Sequence, residues 1–138
     1  MHSLNGFLHD LTLNVVGHQG VYNIHSDGEL SFVSPFRVLV PVENCIGTHT
    51  RFYTTEQSPE VLEYTTSTGE KRPYYLYDEN HCTEVHCLEL NQPILIDVRK
   101  PHGVNNPLKS YRTNLWLDFN ASFTPFASAY IESSHRAL

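Results

Sequence analysis

Three side chains in this 138-residue chain, two from a His-x-Asp triplet and one from a distant histidine, are candidates for holding a redox-active metal ion. His25 and Asp27 are separated by one residue, and alternate residues of an extended strand project from the same face, so both side chains can reach one ion. His102, which follows the apolar segment 93–98, is the best candidate for a third ligand. Two histidines and one carboxylate on one side of an ion leave three coordination positions open, as in non-haem Fe(II) sites. The spacing therefore predicts a mononuclear site formed by these three residues.

Arg112, ten positions after His102, is the candidate for a second part of the same site. Along a strand–turn–strand path its guanidinium would point into the same barrel as His102. The planar, permanently charged fork of arginine suits a carboxylate held in a bidentate salt bridge. Because a buried arginine without an acidic partner is costly, its partner must be either the protein or a ligand. Asp97, Asp118 and a dicarboxylate ligand all stay open as that partner.

The elements that would position these residues are short strands separated by turns. Eight prolines, seven glycines and many Thr, Tyr, Val and Phe residues favour strands over helices, and no amphipathic helix of useful length is visible. The predicted strands are 11–16, 21–25 (followed by a turn at 26–28), 36–42, 48–53, 84–90, 93–98 and 111–119. The polar segment 54–80 predicts a long loop with a hairpin around Ser67 and Thr68, and the segment after Ala121 predicts an edge or a short helix. We expect a single all-β domain, residues 1–138, of the sandwich or barrel type.

The composition narrows the functional classes. The net charge of -6 argues against a protein that binds a phosphate backbone, so no nucleic-acid partner is expected. No segment approaches the roughly 18 consecutive apolar residues of a membrane span, and the N-terminus carries no secretory signal pattern. Three cysteines are an odd number, which is typical of reduced thiols. These features predict a cytoplasmic protein. They do not determine its substrate, for which a small molecule and a peptide both stay open.

The order of the candidate residues resembles that of the Fe(II)/2-oxoglutarate-dependent dioxygenase superfamily, in particular its small prolyl-hydroxylase-like members. The pattern is His-x-Asp, a long gap, and then a histidine with an arginine ten positions further on. The flanking segments are also similar, and the resemblance covers roughly residues 11–119. The similar segments are 22–28, 37–45, 50–53, 93–106 and 111–119.

This resemblance implies a double-stranded β-helix, the jelly-roll fold that is also found in cupins. It implies that His25, Asp27 and His102 hold Fe(II), and that 2-oxoglutarate is the co-substrate, with its far carboxylate on Arg112. The implied reaction is the hydroxylation of an unidentified substrate, with decarboxylation of 2-oxoglutarate to succinate.

Four further residues are candidates for binding the co-substrate by the same resemblance. Thr50 or Tyr53 could donate a hydroxyl to the far carboxylate, and Asn44 could hydrogen-bond the co-substrate. Asn114 stands two positions after the arginine, where many members carry a serine, and it could still donate a hydrogen bond. Members usually have helices before the first core strand, and about ten residues precede Leu11 here. An uncovered sheet would favour a partner, so a homodimer is expected.

Three alternatives stay open. A cupin shares the fold, but its first motif requires His-x-His where this chain has Asp27, and Arg112 would have no role there. A non-enzymatic jelly-roll binding module is the second alternative. A structural β-sandwich with a chance His-x-Asp triplet is the third.

Overall fold

The fold is described from a computed structural model that covers residues 6–66 and 69–136, apart from the side chains of 134–136. These residues form ten strands and one α-helix, which are connected by turns and short 3₁₀ helices. The strands are Leu8–Val16 (β1), His25–Asp27 (β2), Val33–Glu43 (β3), His49–Thr54 (β4), Glu60–Thr65 (β5), Lys71–Leu76 (β6), Thr83–Glu89 (β7), Ile94–Asp97 (β8), His102–Asn105 (β9) and Arg112–Asn120 (β10). The helix is Thr124–Arg136 (α1). Two predictions fall outside the described residues: the lack of a signal pattern at residues 1–5, and the hairpin turn at Ser67 and Thr68.

The strands form two antiparallel sheets. One sheet has four strands in the order β1-β10-β3-β8, and the other has six in the order β5-β6-β2-β9-β4-β7. From β1 to β4 and again from β7 to β10, successive strands lie in different sheets, while β5 and β6 form a hairpin on the edge of β2. The prediction of an all-β protein is confirmed.

Apolar side chains from both sheets form the core. Because side chains of a strand alternate between its faces, every second residue of β3 and β8 faces inward. Leu39 of β3 and Ile96 of β8 belong to one buried cluster, with Phe52, Ile94 and Trp116 packed against it in partly buried positions. The cluster consists of Leu39, Cys45, Leu90, Ile96 and Val98. Two of its members, Leu39 and Ile96, also line the cavity of the polar residues described below.

The inward face of β10 is unusually polar. Arg112, Asn114, Trp116 and Asp118 follow one another at alternate positions, and the exposed fractions of Arg112, Asn114 and Asp118 are 1%, 0% and 8%. Burying polar groups costs free energy unless they are hydrogen-bonded or paired. This stripe is therefore expected to serve a purpose other than stability.

Local structure departs from the prediction around β2. The strand expected at 21–25 is reduced to an isolated bridge of Val21 with Asn105, and the strand proper begins at His25. The turn predicted at 26–28 is wrong, because Ser26 and Asp27 pair with Tyr75 and Tyr74 of β6. The hairpin predicted within residues 54–80 therefore supplies β6 as a partner strand, and this pairing makes residues 25–27 extended.

His102 begins a strand of its own, β9, since it pairs with Phe52 of β4 and His25 of β2. Residues Thr124–Arg136 form a helix of 13 residues, α1, which agrees with the short helix that was one of the two expectations for the segment after Ala121. Among the described residues, no helix is long and apolar enough to cross a membrane. The outer face of β1 exposes Leu11, Leu13 and Val15, and the homodimer stays a prediction.

Candidate functional site

His25 and His102 lie opposite each other on neighbouring strands. Their residues are register partners of β2 and β9, and the centroids of the two imidazole rings are 4.5 Å apart. Each Nδ1 is 2.8 Å from the carbonyl oxygen two residues earlier, that of Asn23 for His25 and that of Lys100 for His102. When Nδ1–H donates to a carbonyl, the lone pair lies on Nε2, which is the usual arrangement of metal-binding histidines. Both rings therefore present Nε2 as the nitrogen that can bind a metal ion.

His102 is held neutral by its surroundings. It is 4% exposed, and this burial lowers its pKa to about 4, with the nearby charge of His25 acting in the same direction. A neutral imidazole is the form that binds a metal ion. At neutral pH no proton has to leave His102 before it can act as a ligand.

Asp27 lies on the same face of β2 as His25, as the spacing predicts, and both side chains line one cleft. Burial alone would raise the pKa of the Asp27 carboxyl, but the positive charge of Arg37, together with His102 and Arg72, lowers it below the ordinary value. The Oδ2 atom of Asp27 is 3.1 Å from an Nη atom of Arg37. No well-aligned hydrogen bond reaches that oxygen from the described residues. The result is a buried carboxylate with a nearby cation but incomplete hydrogen bonding.

Arg37 is a site residue that the sequence analysis missed. It is 4% exposed, and its Nε and Nη2 atoms donate to the two carboxylate oxygens of Asp118 at 2.7 and 3.1 Å. The guanidinium carbon also lies 4.5 Å from the centroid of the Trp116 ring. The sequence does carry a sign of this role, since Arg37 is the single charged residue of the apolar strand 36–42. A charged residue in such a strand requires a buried partner.

The predicted metal triad is therefore brought together only in part. His25 meets His102, whereas the Asp27 carboxylate contacts Arg37. Within residues 6–66 and 69–136, no group of three or more His, Cys, Asp or Glu side chains is arranged to hold a metal ion. The chemistry of the donor set suits Fe(II), but the carboxylate would have to be shared with the arginine.

The two histidines and Arg112 line one inner cavity. Its walls are formed by Tyr22, His25, Arg37, Leu39, Thr50, Ile96, His102, Val104, Arg112 and Trp116. The Nε and Nη1 atoms of Arg112 have no hydrogen-bond partner among the described residues. Burial lowers the pKa of Arg112, although the neighbouring Cys45 acts in the opposite direction.

Neither aspartate that was considered as a partner of Arg112 pairs with it. Asp97 holds Arg99, with carboxylate–guanidinium distances of 2.9 and 2.8 Å. Asp118 holds Arg37. Arg112 is thus a buried cation whose carboxylate partner is not found in the described part of the protein.

The other predicted co-substrate residues fall into two groups. Thr50 and Asn114 are both 0% exposed, and the Oγ1 of Thr50 and the Nδ2 of Asn114 lack hydrogen-bond partners among the described residues. Asn44 lies away from the cavity, where its Nδ2 donates to the Tyr111 carbonyl at 2.9 Å. Tyr53 is likewise not part of the cavity wall, and its neighbours include Glu84 and Arg51.

The inner cavity is narrow and adjoins a larger cleft. Its free volume is about 20 Å³, which is room for roughly one water molecule. The cleft has a volume of about 560 Å³, and Tyr22, His25 and Trp116 form part of both walls. A larger ligand could enter the inner cavity from this side by displacing a shared side chain such as Tyr22, which is 36% exposed.

Gly28 fixes the position of Asp27 through the close approach of β2 and β6. Its N–H donates to the Pro73 carbonyl at 2.8 Å, and a Cβ atom at Gly28 would lie 2.5 Å from the Cβ of Pro73 and 2.7 Å from its carbonyl oxygen. We expect Gly28→Ala to force the two strands apart and to lower the free energy of unfolding by about 1–3 kcal/mol.

Urea unfolding of the variant would measure this cost. Gly17→Ala is the matched control, because nothing lies within 4 Å of a Cβ at that position. Equal stability of the two variants would show that β2 and β6 do not approach as described.

Comparison with known proteins gives no match for this chain: no protein-family model, no curated protein and no solved structure resembles it significantly.

Proposed function

We propose that this chain is a non-haem Fe(II)/2-oxoglutarate-dependent oxygenase, which hydroxylates a substrate bound in the larger cleft and converts 2-oxoglutarate to succinate. The observation that carries the proposal is the buried Arg112, which lacks a carboxylate partner and lines the same cavity as the His25–His102 pair. A guanidinium at one side and two imidazole nitrogens at the other match a ligand that has a free carboxylate and a metal-chelating end.

The balance of buried charge supports an anionic ligand. Among the described residues, three arginines are 4% exposed or less, namely Arg37, Arg72 and Arg112, against two buried aspartates, Asp27 and Asp118, which are 5% and 8% exposed. One buried positive charge is therefore uncompensated, and a divalent cation would increase the excess. A dicarboxylate would cancel the two charges of the metal ion, and its far carboxylate would give Arg112 the local partner that the described residues do not supply.

The strand order supports the jelly-roll form of the all-β fold. Without the β5–β6 hairpin, the sheets reduce to β1-β10-β3-β8 and β2-β9-β4-β7, and successive strands mostly change sheet. Eight strands in two facing sheets of four are the arrangement of a jelly roll. In this interpretation the hairpin is an insertion, and its residues Leu62, Tyr64 and Tyr74 form a wall of the substrate cleft.

Each residue then has a defined task. His25, His102 and Asp27 would hold the iron, and Arg112 would bind the far carboxylate with Thr50 and Asn114 as neighbouring donors. When bound, Fe(II) with 2-oxoglutarate and O₂ supplies the oxidising power for the hydroxylation of a C–H bond. The chain itself binds and orients these groups, and its buried walls exclude bulk water from the inner cavity.

A second candidate is a jelly-roll module that binds a carboxylate without catalysis or that uses a metal in the manner of a cupin. The contact between Asp27 and Arg37 favours it, because this contact already gives the carboxylate a cation in the metal-free chain. Binding of a carboxylate to Arg112 alone would then need no metal ion. The oxygenase and the non-catalytic module differ in whether co-substrate binding depends on metal, and a cupin differs from the oxygenase in forming no succinate from 2-oxoglutarate.

The single tryptophan of the chain provides the test. Trp116 lines both the cavity and the cleft, so its fluorescence is expected to change when N-oxalylglycine, a stable analogue of 2-oxoglutarate, binds. A titration without oxygen, with and without Mn(II), decides between the candidates, and Fe(II)-dependent formation of succinate from 2-oxoglutarate is the accompanying assay. Binding that requires Mn(II) supports the oxygenase, and binding that ignores it supports the module. No response in either titration would contradict both.

A further inference from the structure

Two buried carboxylates compete for one buried guanidinium. Arg37 is a direct register partner of Asp118 across β3 and β10, and it donates two hydrogen bonds to the two oxygens of that residue. Asp27 approaches the same guanidinium from β2, in the opposite sheet, at 3.1 Å. The side chains of all three residues are almost completely buried.

We propose that Asp118 is a positioning residue for metal binding: by holding the fork of Arg37, it leaves the carboxylate of Asp27 available to a metal ion at His25 and His102. The inference rests on the proposed function, since it assigns Asp27 to the metal. It adds a residue that contacts neither the imidazoles nor the co-substrate arginine.

The quality of the two contacts carries the argument. The contacts to Asp118 satisfy hydrogen-bond geometry, whereas the Oδ2 of Asp27 has no aligned donor despite its short distance to Arg37. A planar guanidinium binds a carboxylate best when two parallel N–H groups point at its two oxygens. Asp118 occupies that direction, and the Trp116 ring lies against the guanidinium face. Asp27 is left with an out-of-line contact.

Loss of the Asp118 carboxylate would change this balance. The fork of Arg37 would then have Asp27 as the buried carboxylate within reach, and a bidentate pair would occupy the oxygens that a metal ion needs. The loss of one negative charge near the site would weaken cation binding further, so both effects act in the same direction.

Calorimetric titration with Mn(II) tests the proposal on the full chain. We expect Asp118→Asn to weaken Mn(II) binding about tenfold or more, the range typical of groups that orient a ligand. The double variant Arg37→Gln with Asp118→Asn keeps the net charge of the parent and removes the competitor. It is expected to bind Mn(II) within about threefold of the parent, because the arginine through which Asp118 acts is gone.

Asp97→Asn is the matched control. Asp97 also holds an arginine, Arg99, through two aligned contacts, but Arg99 is part of neither the His25–His102 pair nor the inner cavity. Its loss should leave Mn(II) affinity unchanged. Circular dichroism and thermal unfolding of each variant establish that the fold is retained.

Each outcome decides the matter. If the parent binds Mn(II) and Asp118→Asn binds it equally well, the role of Asp118 is wrong and the proposed function stands. If the parent binds no Mn(II), the proposed function is wrong and this inference with it. If Asp118→Asn alone does not fold, the double variant decides, since affinity more than about tenfold below that of the parent would overturn the competition between Arg37 and the metal.

Discussion

Replacing Arg112 with methionine is expected to abolish co-substrate binding and, at the same time, to make the ligand-free chain more stable. Arg112 is 1% exposed, and its Nε and Nη1 atoms have no partner among the described residues. A methionine of similar length fills the space without a buried charge. Because replacing buried charge by apolar groups is often stabilising by about 1–4 kcal/mol, the free energy of unfolding should increase. If Arg112 served only to stabilise the fold, its replacement would instead decrease the free energy of unfolding.

The same change removes the charge that would hold the far carboxylate. Losing one partner of a buried charge pair costs about 2–5 kcal/mol, so affinity for N-oxalylglycine should fall by about 30-fold or more. Trp116 fluorescence in the presence of Mn(II) measures the analogue, and urea unfolding measures stability. Mn(II) affinity in the absence of the analogue should not decrease, because Arg112 does not belong to the His25–His102 pair and the loss of a nearby positive charge favours a bound cation.

Arg72→Met is the control for this prediction. Arg72 is 3% exposed, like Arg112, but it donates to the Gly28 carbonyl. Its removal leaves a buried carbonyl unsatisfied, which typically costs about 1–3 kcal/mol, so this variant should be less stable. If Arg112→Met were also less stable and bound the analogue normally, Arg112 would be an ordinary structural arginine.

The His-x-Asp spacing predicted correctly that two side chains share a face, because the period of a strand is a local property. It did not predict that β2 begins at His25. That boundary depends on β6, whose pairing with Ser26 and Asp27 is a contact across about 50 residues, and local turn preference indicated a turn instead. The same pairing brings Gly28 against Pro73.

The role of Arg37 shows a second limit of the sequence. A charged residue in an apolar strand indicates a buried partner, but several aspartates could fill that role. Only the register of β3 with β10 assigns Asp118 to it, and only the packing of the two sheets brings Asp27 to the other side. For Arg112 the sequence left Asp97, Asp118 and a ligand open, and the structure gives both aspartates to other arginines.

Removing either imidazole of the His25–His102 pair is expected to abolish metal uptake. Each of His25→Gln and His102→Gln should weaken Mn(II) binding by at least about 100-fold, since the loss of a direct ligand exceeds the 10–100-fold cost of losing a group that only orients one. Asp27→Ala should have a comparable effect with little loss of stability, because Arg37 retains its bidentate pair with Asp118.

His86→Gln is the control for general effects of losing a histidine, because His86 is exposed on β7. Besides calorimetry, a thermal shift reports the same equilibrium: metal at about 100 times the dissociation constant stabilises the folded parent by about 2.7 kcal/mol. The shift should be lost in His25→Gln and His102→Gln and kept in His86→Gln. If the parent and all the variants showed the same shift, the metal would be bound elsewhere, and the paired imidazoles would have to be explained by packing alone. Their matching Nδ1 hydrogen bonds to backbone carbonyls argue against that outcome, since packing does not require both rings to present the same nitrogen.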